Sequence, residues 1–314
     1  MHEFDLIARL KPLLPSNDFV VAGAGDDCAV LDLGDPGHHT LLKTDAVVEG
    51  IHFTRDADPE RVGHKAIARC LSDVAAMAGQ PIAAVVTLAL PPGHDAGWCE
   101  ALYRGLCRTA ARYQVAIVGG ETTTNPDRVL VNVAMVGRVP RGRAIRRSGA
   151  RIGDALFVSG ELGGSIAGRH LEFEPRLAEA RWLASSVDVH AMIDVSDGLA
   201  GDLRHLLAAS GGLGAEIRAV SLPISRTARE RERAGDLAKP ALLAALTDGE
   251  DFELLFAVAP ADAVRVLDGW KTMFPDVRLS CIGRITADPA VILCANTGIK
   301  PMPRGGYEHF HGTP

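Results

Sequence analysis

LLKTDAVVEGIHF, residues 41–53, decides how this chain is read. Leu41 and Leu42 lead into Thr44 and Asp45, and the segment runs on through Glu49 to His52 and Phe53. Apolar residues running up to an abrupt acid predict a strand, here 40–44, that delivers a carboxylate to its end. The same event recurs. Residues 22–25 run into Asp26 and Asp27, residues 115–120 run into Glu121, and Met192 and Ile193 run into Asp194, with Asp197 close behind. Asp73 shares one helical face with Ala66, Cys70 and Met77, at spacings of three and four residues. Buried carboxylates are costly unless paired or bound to metal, and Mg²⁺ prefers such oxygen ligands. The acids therefore predict a magnesium and polyphosphate site.

The 314 residues are 47% hydrophobic and 23% charged, an ordinary globular composition with room for two domains. A net charge of −6 argues against a nucleic-acid partner, because phosphate contacts need basic patches. The arginine-rich run 226–233 is interleaved with Glu230 and Glu232 and reads as a solvated helix face. Cys28, Cys70, Cys99, Cys107, Cys281 and Cys294 form no C-x-x-C pair, so they read as reduced core residues of a cytoplasmic protein. The N-terminal residues carry acids and lack the apolar centre of a signal peptide. The longest apolar run, 82–90, is far too short to span a bilayer, so no membrane partner is expected.

Strand and helix patterns alternate through both halves, an α/β (α+β) arrangement. Asp58-Pro59 marks a helix start, an N-cap acid followed by proline, and Gly79 is placed to end that helix. Further strands are expected at 19–22, 28–33, 82–90, 115–118 and 129–139, with a loop over 121–127. Pro140 to Gly142 reads as a boundary, giving domains 1–140 and 141–314. The second half predicts strands at 154–158, 192–195, 215–220, 252–258, 279–285 and 290–293, and helices at 175–184, 199–210, 242–246 and 262–274. Residues 163–168 read either as a helix-start anion site or as a tight turn, with the turn preferred. Asp202 is expected to complement a helix N-terminus, and for Asp26 a turn-capping role stands beside a direct one. Leu71-Ser72-Asp73 is echoed by Val195-Ser196-Asp197, so two halves facing across a cleft would bring their acids together.

Several familiar sites are missing from the sequence. It holds no G-x-x-x-x-G-K-[ST] loop, no G-x-S-x-G elbow and no H-E-x-x-H pair. Transfer between two phosphates needs none of them. The nucleophile is already anionic and needs no general base; the obstacle is repulsion between anions, which divalent ions relieve.

At this point the motifs resemble a family. The matching pieces are Glu3-Phe4-Asp5-Leu6-Ile7-Ala8, Gly25-Asp26-Asp27-Cys28-Ala29, and Thr44-Asp45 through Glu49-Gly50-Ile51-His52-Phe53. They continue with LSDVAAMAG at 71–79, Arg147-Ser148-Gly149-Ala150 with Gly153-Asp154, IDVSDGL at 193–199, GEDFEL at 249–254 and GYEHF at 306–310. In order and spacing the chain resembles thiamine-monophosphate kinase, of the superfamily that includes aminoimidazole ribonucleotide synthetase. The resemblance implies a two-domain aminoimidazole ribonucleotide synthetase-like fold and ATP-dependent phosphorylation of thiamine monophosphate by direct transfer. It implies that Asp27, Thr44, Asp45, Asp73, Glu121, Asp194 and Asp197 hold several Mg²⁺ ions. Gly120, Arg147 and Ser196 would contact ATP, and His52, Glu250 and Tyr307 the thiamine moiety. Residues 1–140 would bind ATP and Mg²⁺ and form a homodimer through a shared barrel, and residues 141–314 would complete the site.

Three positions depart from the family pattern. Glu121 stands for a usual aspartate, and Asp248-Gly249 for a usual glycine pair. Lys43 stands where serine or threonine often lies beside the metals, and is expected to replace one cation or fill its site. Two alternatives accompany the kinase reading: an ATP-dependent ribonucleotide cyclase, and a nucleotide or thiamine-phosphate binding protein without turnover.

Overall fold

The computed structural model describes residues 3–236, 238–307 and 309. Glu308 and Phe310 of the 306–310 motif lie outside the described residues. The first half builds helix α1 (Glu3–Leu10), strands β1 (Val20–Ala22), β2 (Ala29–Leu31) and β3 (His38–Val48), helix α2 (Pro59–Ala76), strand β4 (Gln80–Leu90), helix α3 (Ala96–Arg112), and strands β5 (Ala116–Thr124) and β6 (Leu130–Pro140). These strands form one sheet in the order β1-β2-β3-β6-β4-β5, antiparallel except for the β4–β5 pair. Helix α2 starts as expected: Asp58 accepts the Glu60 N–H at 2.8 Å, and Pro59 needs no partner at the first position. Helices α2 and α3 pack backbone to backbone. A Cβ at Gly63 would collide with the Leu102 carbonyl, and one at Gly105 with the Glu60 carbonyl.

The second half contributes β7 (Ala155–Ser159), α4 (Leu177–Ser186), β8 (Val189–Val195), α5 (Leu199–Ala209), β9 (Gly214–Arg218), α6 (Arg226–Ala234), α7 (Ala241–Thr247), β10 (Glu253–Val258), α8 (Ala263–Met273), β11 (Leu279–Thr286), β12 (Val291–Ala295) and β13 (Gly298–Pro301). They form a second sheet in the order β13-β12-β9-β11-β7-β10-β8. Its strands β7 and β10, each paired on both sides, are buried on both faces. Alternation along them serves two cores. Phe157 and Phe256 join a core shared with Leu71 and Val74 of α2, and Leu156 and Leu255 join another with Leu203 and Leu206 of α5. The continuous first core fixes α2 against the second sheet.

Of the boundaries that differ from the sequence reading, two matter for the site. Strand β3 does not stop at Asp45; it pairs with β6 along its whole length, His38 opposite Pro140 through Val48 opposite Leu130. Strand β5 runs on through Glu121 to Thr124, because β4 offers parallel partners as far as Leu90. Ladder hydrogen bonds from a neighbouring strand thus override an acid that reads locally as a stop. The glycine-rich segment makes two short 3₁₀ turns, Ser165–Ala167 and Arg169–Leu171. The Gly163 and Gly164 N–H groups are taken by Asp251 and Asp248, as the turn reading expects.

Candidate active site

Alternation along β3 sorts the residues of the 41–53 stretch. Leu41 and Val47 are buried against the helices, and Lys43 and Asp45 share that inner face. Helix α2 brings Asp73, the end of β8 brings Asp194, and the turn before β2 brings Asp27. All three carboxylates are buried, and each offers an oxygen within 4.8 Å of the others. Burial, joined by the charges of its neighbours, holds the Asp73 carboxyl well above the usual range. Burial likewise raises Asp27 and pushes Asp194 up to about 6. Asp197, just beyond β8, rises to about 7 through burial and the charge of Asp194.

Cations reach this cluster from three directions. Lys43 Nζ lies 2.8 Å from Asp73, Arg147 Nη2 lies 2.6 Å from Asp27, and Arg69 Nε lies 2.9 Å from Asp45. Asp194 accepts the Ser72 hydroxyl at 2.6 Å and has no ion pair among the described residues. Among the described residues, five carboxylates (Asp27, Asp45, Asp73, Asp194 and Asp197) thus meet three fixed cations. Asp27 Oδ2 is buried without a hydrogen-bond partner, although buried carboxylate oxygens ordinarily have one. An orphaned anionic oxygen, a surplus of negative charge and an all-oxygen donor set fit a hard divalent cation such as Mg²⁺.

A cavity of about 390 Å³ opens beside the cluster, within the usual size range of small-molecule sites. The first half supplies His52 and Arg69 to its wall, and the second supplies Ser196, Asp197, Glu250 and Tyr307. Asp197 belongs to both the wall and the acid group. His52 Nδ1 accepts the Val48 N–H at 3.1 Å. Burial lowers the imidazole to about 4, leaving a neutral ring with its proton on Nε2. Glu250 adopts the left-handed backbone (φ 54°), as does Phe252 (φ 51°). Their N–H groups are tied to the carbonyls of Ser196 and Val195 at the end of β8, and such strain is found chiefly at functional sites. The Tyr307 N–H is likewise held by the Asp197 carbonyl.

Behind Glu250 lies a lysine that sequence reading missed. Lys65 is fully buried, and its ammonium donates to the His52 carbonyl at 2.6 Å and to Glu250 at 2.7 Å, with His170 Nδ1 2.8 Å away and 3.0 Å from Glu250. Burial brings Lys65 down to about 8. Glu250 falls to about 2, its own burial outweighed by His170 and Lys65. The available signal was helical spacing: Lys65, Arg69 and Asp73 fall four residues apart among Ala66, Ile67 and Cys70.

Two expected metal ligands stand apart from the buried cluster. The Thr44 hydroxyl lies on the outer sheet face, bonded to Asn132 at 3.0 Å. Glu121 is exposed in the cross-strand row Glu121–Thr87–Asn132–Ala46, on that same face. Gly120 shares the inner row of Asp45, and a Cβ there would strike the Val86 carbonyl. Asp26 caps the Arg147 N–H at 2.8 Å, and Asp202 accepts the N–H groups of Asp197 and Gly198.

The two-sheet fold with acids at its seam defines the class. Residues 25–139 match the family model described as AIR synthase related protein, N-terminal domain. A solved structure described as AaThiL complexed with AMPPCP and TMP superposes with a TM-score of 0.82 at 31% identity, covering 98% of this chain and 97% of that one. Thiamine-monophosphate kinase of Rhodopirellula baltica is 42% identical over 78% of both chains, and that of Salmonella typhimurium is 36% identical over 98% of both. The chain belongs to the thiamine-monophosphate kinase family.

Proposed function

We propose that this protein transfers the terminal phosphoryl group of ATP to thiamine monophosphate, forming thiamine diphosphate and ADP. The observation that carries the reading is the buried Asp27–Asp73–Asp194 group beside a cavity that both halves line. The family supports it, as does the AMPPCP and TMP complex of the structural neighbour. The acceptor phosphate is already an anion, so no residue is assigned as general base. Asp27, Asp45, Asp73, Asp194 and Asp197 would hold Mg²⁺, which when bound neutralises phosphate charge and aligns the reacting oxygens. Thr44 and Glu121, on the other face of the sheet, would hold a separate ion.

Arg147 stays cationic against Asp27 and is assigned to ATP with Gly120 and Ser196. His52, Glu250 and Tyr307 are assigned to thiamine. The neutral His52 ring offers an Nε2–H donor, and the anionic Glu250 suits the positive thiazolium. Residues 1–140 are proposed as the nucleotide and dimerisation unit, and 141–314 as the unit that completes the site. A homodimer is supported by Leu42, Val85 and Val136, which stand 44%, 42% and 38% exposed on the outer sheet face. Among the described residues no helix is long and apolar enough to cross a membrane. A cytoplasmic location, where ATP and reduced thiols are found, completes the proposal.

The test is ADP release from ATP and Mg²⁺ with and without thiamine monophosphate. Thiamine diphosphate formed in step with ADP supports the reading. Stimulation by an aminoimidazole precursor instead would replace it with the cyclase.

A further inference from the structure

Lys43 is an unusual residue to find among phosphate-site acids. Its ammonium contacts Asp73 at 2.8 Å, and its field also acts on Asp27 and Asp194. Burial works against its charge, yet Asp73 and Asp45 outweigh burial and raise it above the ordinary lysine value. Asp73 in turn offers an oxygen within 4.8 Å of Asp27 and Asp194, so the ammonium is set against a carboxylate group drawn from the turn before β2, α2 and β8. A cation placed against several gathered carboxylates occupies the kind of position a bound metal takes.

We infer that the Lys43 ammonium is a built-in substitute for one divalent cation, so that the buried cluster takes one fewer metal ion than its carboxylates would otherwise require. The charges support this. Counted as ionised, the five carboxylates assigned to Mg²⁺ exceed Lys43, Arg69 and Arg147 by two charges. Without Lys43 a further charge is exposed, and a second ion is needed. A tethered cation also has a consequence that a diffusible one lacks. Its position is set by the β3 backbone, so it stays beside Asp73 when nucleotide and metal leave.

The inference rests on the proposed Mg²⁺ site, and the experiment separates the two. Mn²⁺ bound per chain is counted by electron paramagnetic resonance with AMPPCP present, for the unaltered protein and for Lys43→Ser, whose small hydrated side chain leaves room for an ion. The expected result is one additional Mn²⁺ in Lys43→Ser, with a larger rise in melting temperature on adding Mg²⁺ than the unaltered protein shows. An equal Mn²⁺ count in the two proteins overturns the inference and leaves the Mg²⁺ site standing. An unaltered protein that binds no Mn²⁺ overturns both. Should Lys43→Ser be unfolded in metal-free buffer, folding on addition of Mg²⁺ but not K⁺ supports the substitution. Failure to fold in saturating Mg²⁺ overturns it.

Discussion

Two buried charge groups, about two helix turns apart along α2, take opposite courses. Around Asp73 the carboxylates outnumber the cations, their pKa values rise, and one oxygen of Asp27 is left without a partner. Around Lys65 the charges are matched: the ammonium meets Glu250 and the His52 carbonyl, His170 stands against both partners, and Glu250 falls to about 2. Burial is similar in both places, so burial alone does not decide what a charged group does. Charge balance does. A balanced group stays ionised and fixed without a metal, as Glu250 does on the cavity wall, whereas an unbalanced one calls for a cation to complete it.

The largest expected effect comes from removing a carboxylate on the unbalanced side. Asp73→Asn or Asp45→Asn is expected to lower kcat/KM by at least about 100-fold, the upper range seen when metal-site support is lost. Circular dichroism should remain that of the unaltered fold. Near-normal turnover in both variants would remove the metal assignment and collapse the contrast.

On the balanced side, Lys65→Met leaves Glu250 with His170 alone and should destabilise the protein by up to about 3–5 kcal/mol, read from denaturant unfolding. The double variant Lys65→Met/Glu250→Gln should recover much of that loss, because no buried charge is then left alone. A double variant no more stable than Lys65→Met would show that Lys65 acts through something other than Glu250.

Acid titration should separate the two groups by sign. Asp194 and Asp197 bind protons more tightly folded, at about 6 and about 7, than at the ordinary 3.8. Their contribution to the stability of the metal-free protein is present at low pH and is lost as the pH rises towards 7. Glu250, lowered from 4.5 to about 2, contributes stability above its ordinary value and loses it as the pH falls through about 2. Melting temperature against pH, with and without Mg²⁺, checks this. The metal should flatten the loss near pH 6 to 7 and leave the acid limb unchanged.

The smallest effect is expected from Glu121→Gln. Exposed on the outer sheet face, Glu121 should change stability by no more than about 0.5 kcal/mol. It should also leave Mn²⁺ binding to the buried cluster intact by the same resonance count. Loss of that bound ion would place Glu121 in the cluster after all.

Much of this was legible in residues 41–53 and their echoes. The recurrence of an acid after an apolar run marked Asp27, Asp45 and Asp194, and helical spacing marked Asp73, because each is a costly residue at a position its neighbours assign to the core. The Asp58-Pro59 helix start was readable for the same local reason. Lys65 was not, since a long cationic side chain on a helix ordinarily reaches solvent, and only the packing of the second half over α2 removes that route. The separation of Thr44 from Asp45 was equally hidden. It depends on β3 continuing past the acid in register with β6, a pairing with residues nearly ninety positions away.

The sequence by itself determined which residue types are gathered here, that the chain alternates strand and helix, and that its surplus acids call for a cation, because composition and local spacing are properties of the chain. Tertiary structure alone decided which of those acids meet, which face each one takes, and that Lys43 sits among them rather than in water. Those outcomes depend on strand register and on two halves closing over one helix, and no short stretch of sequence contains either.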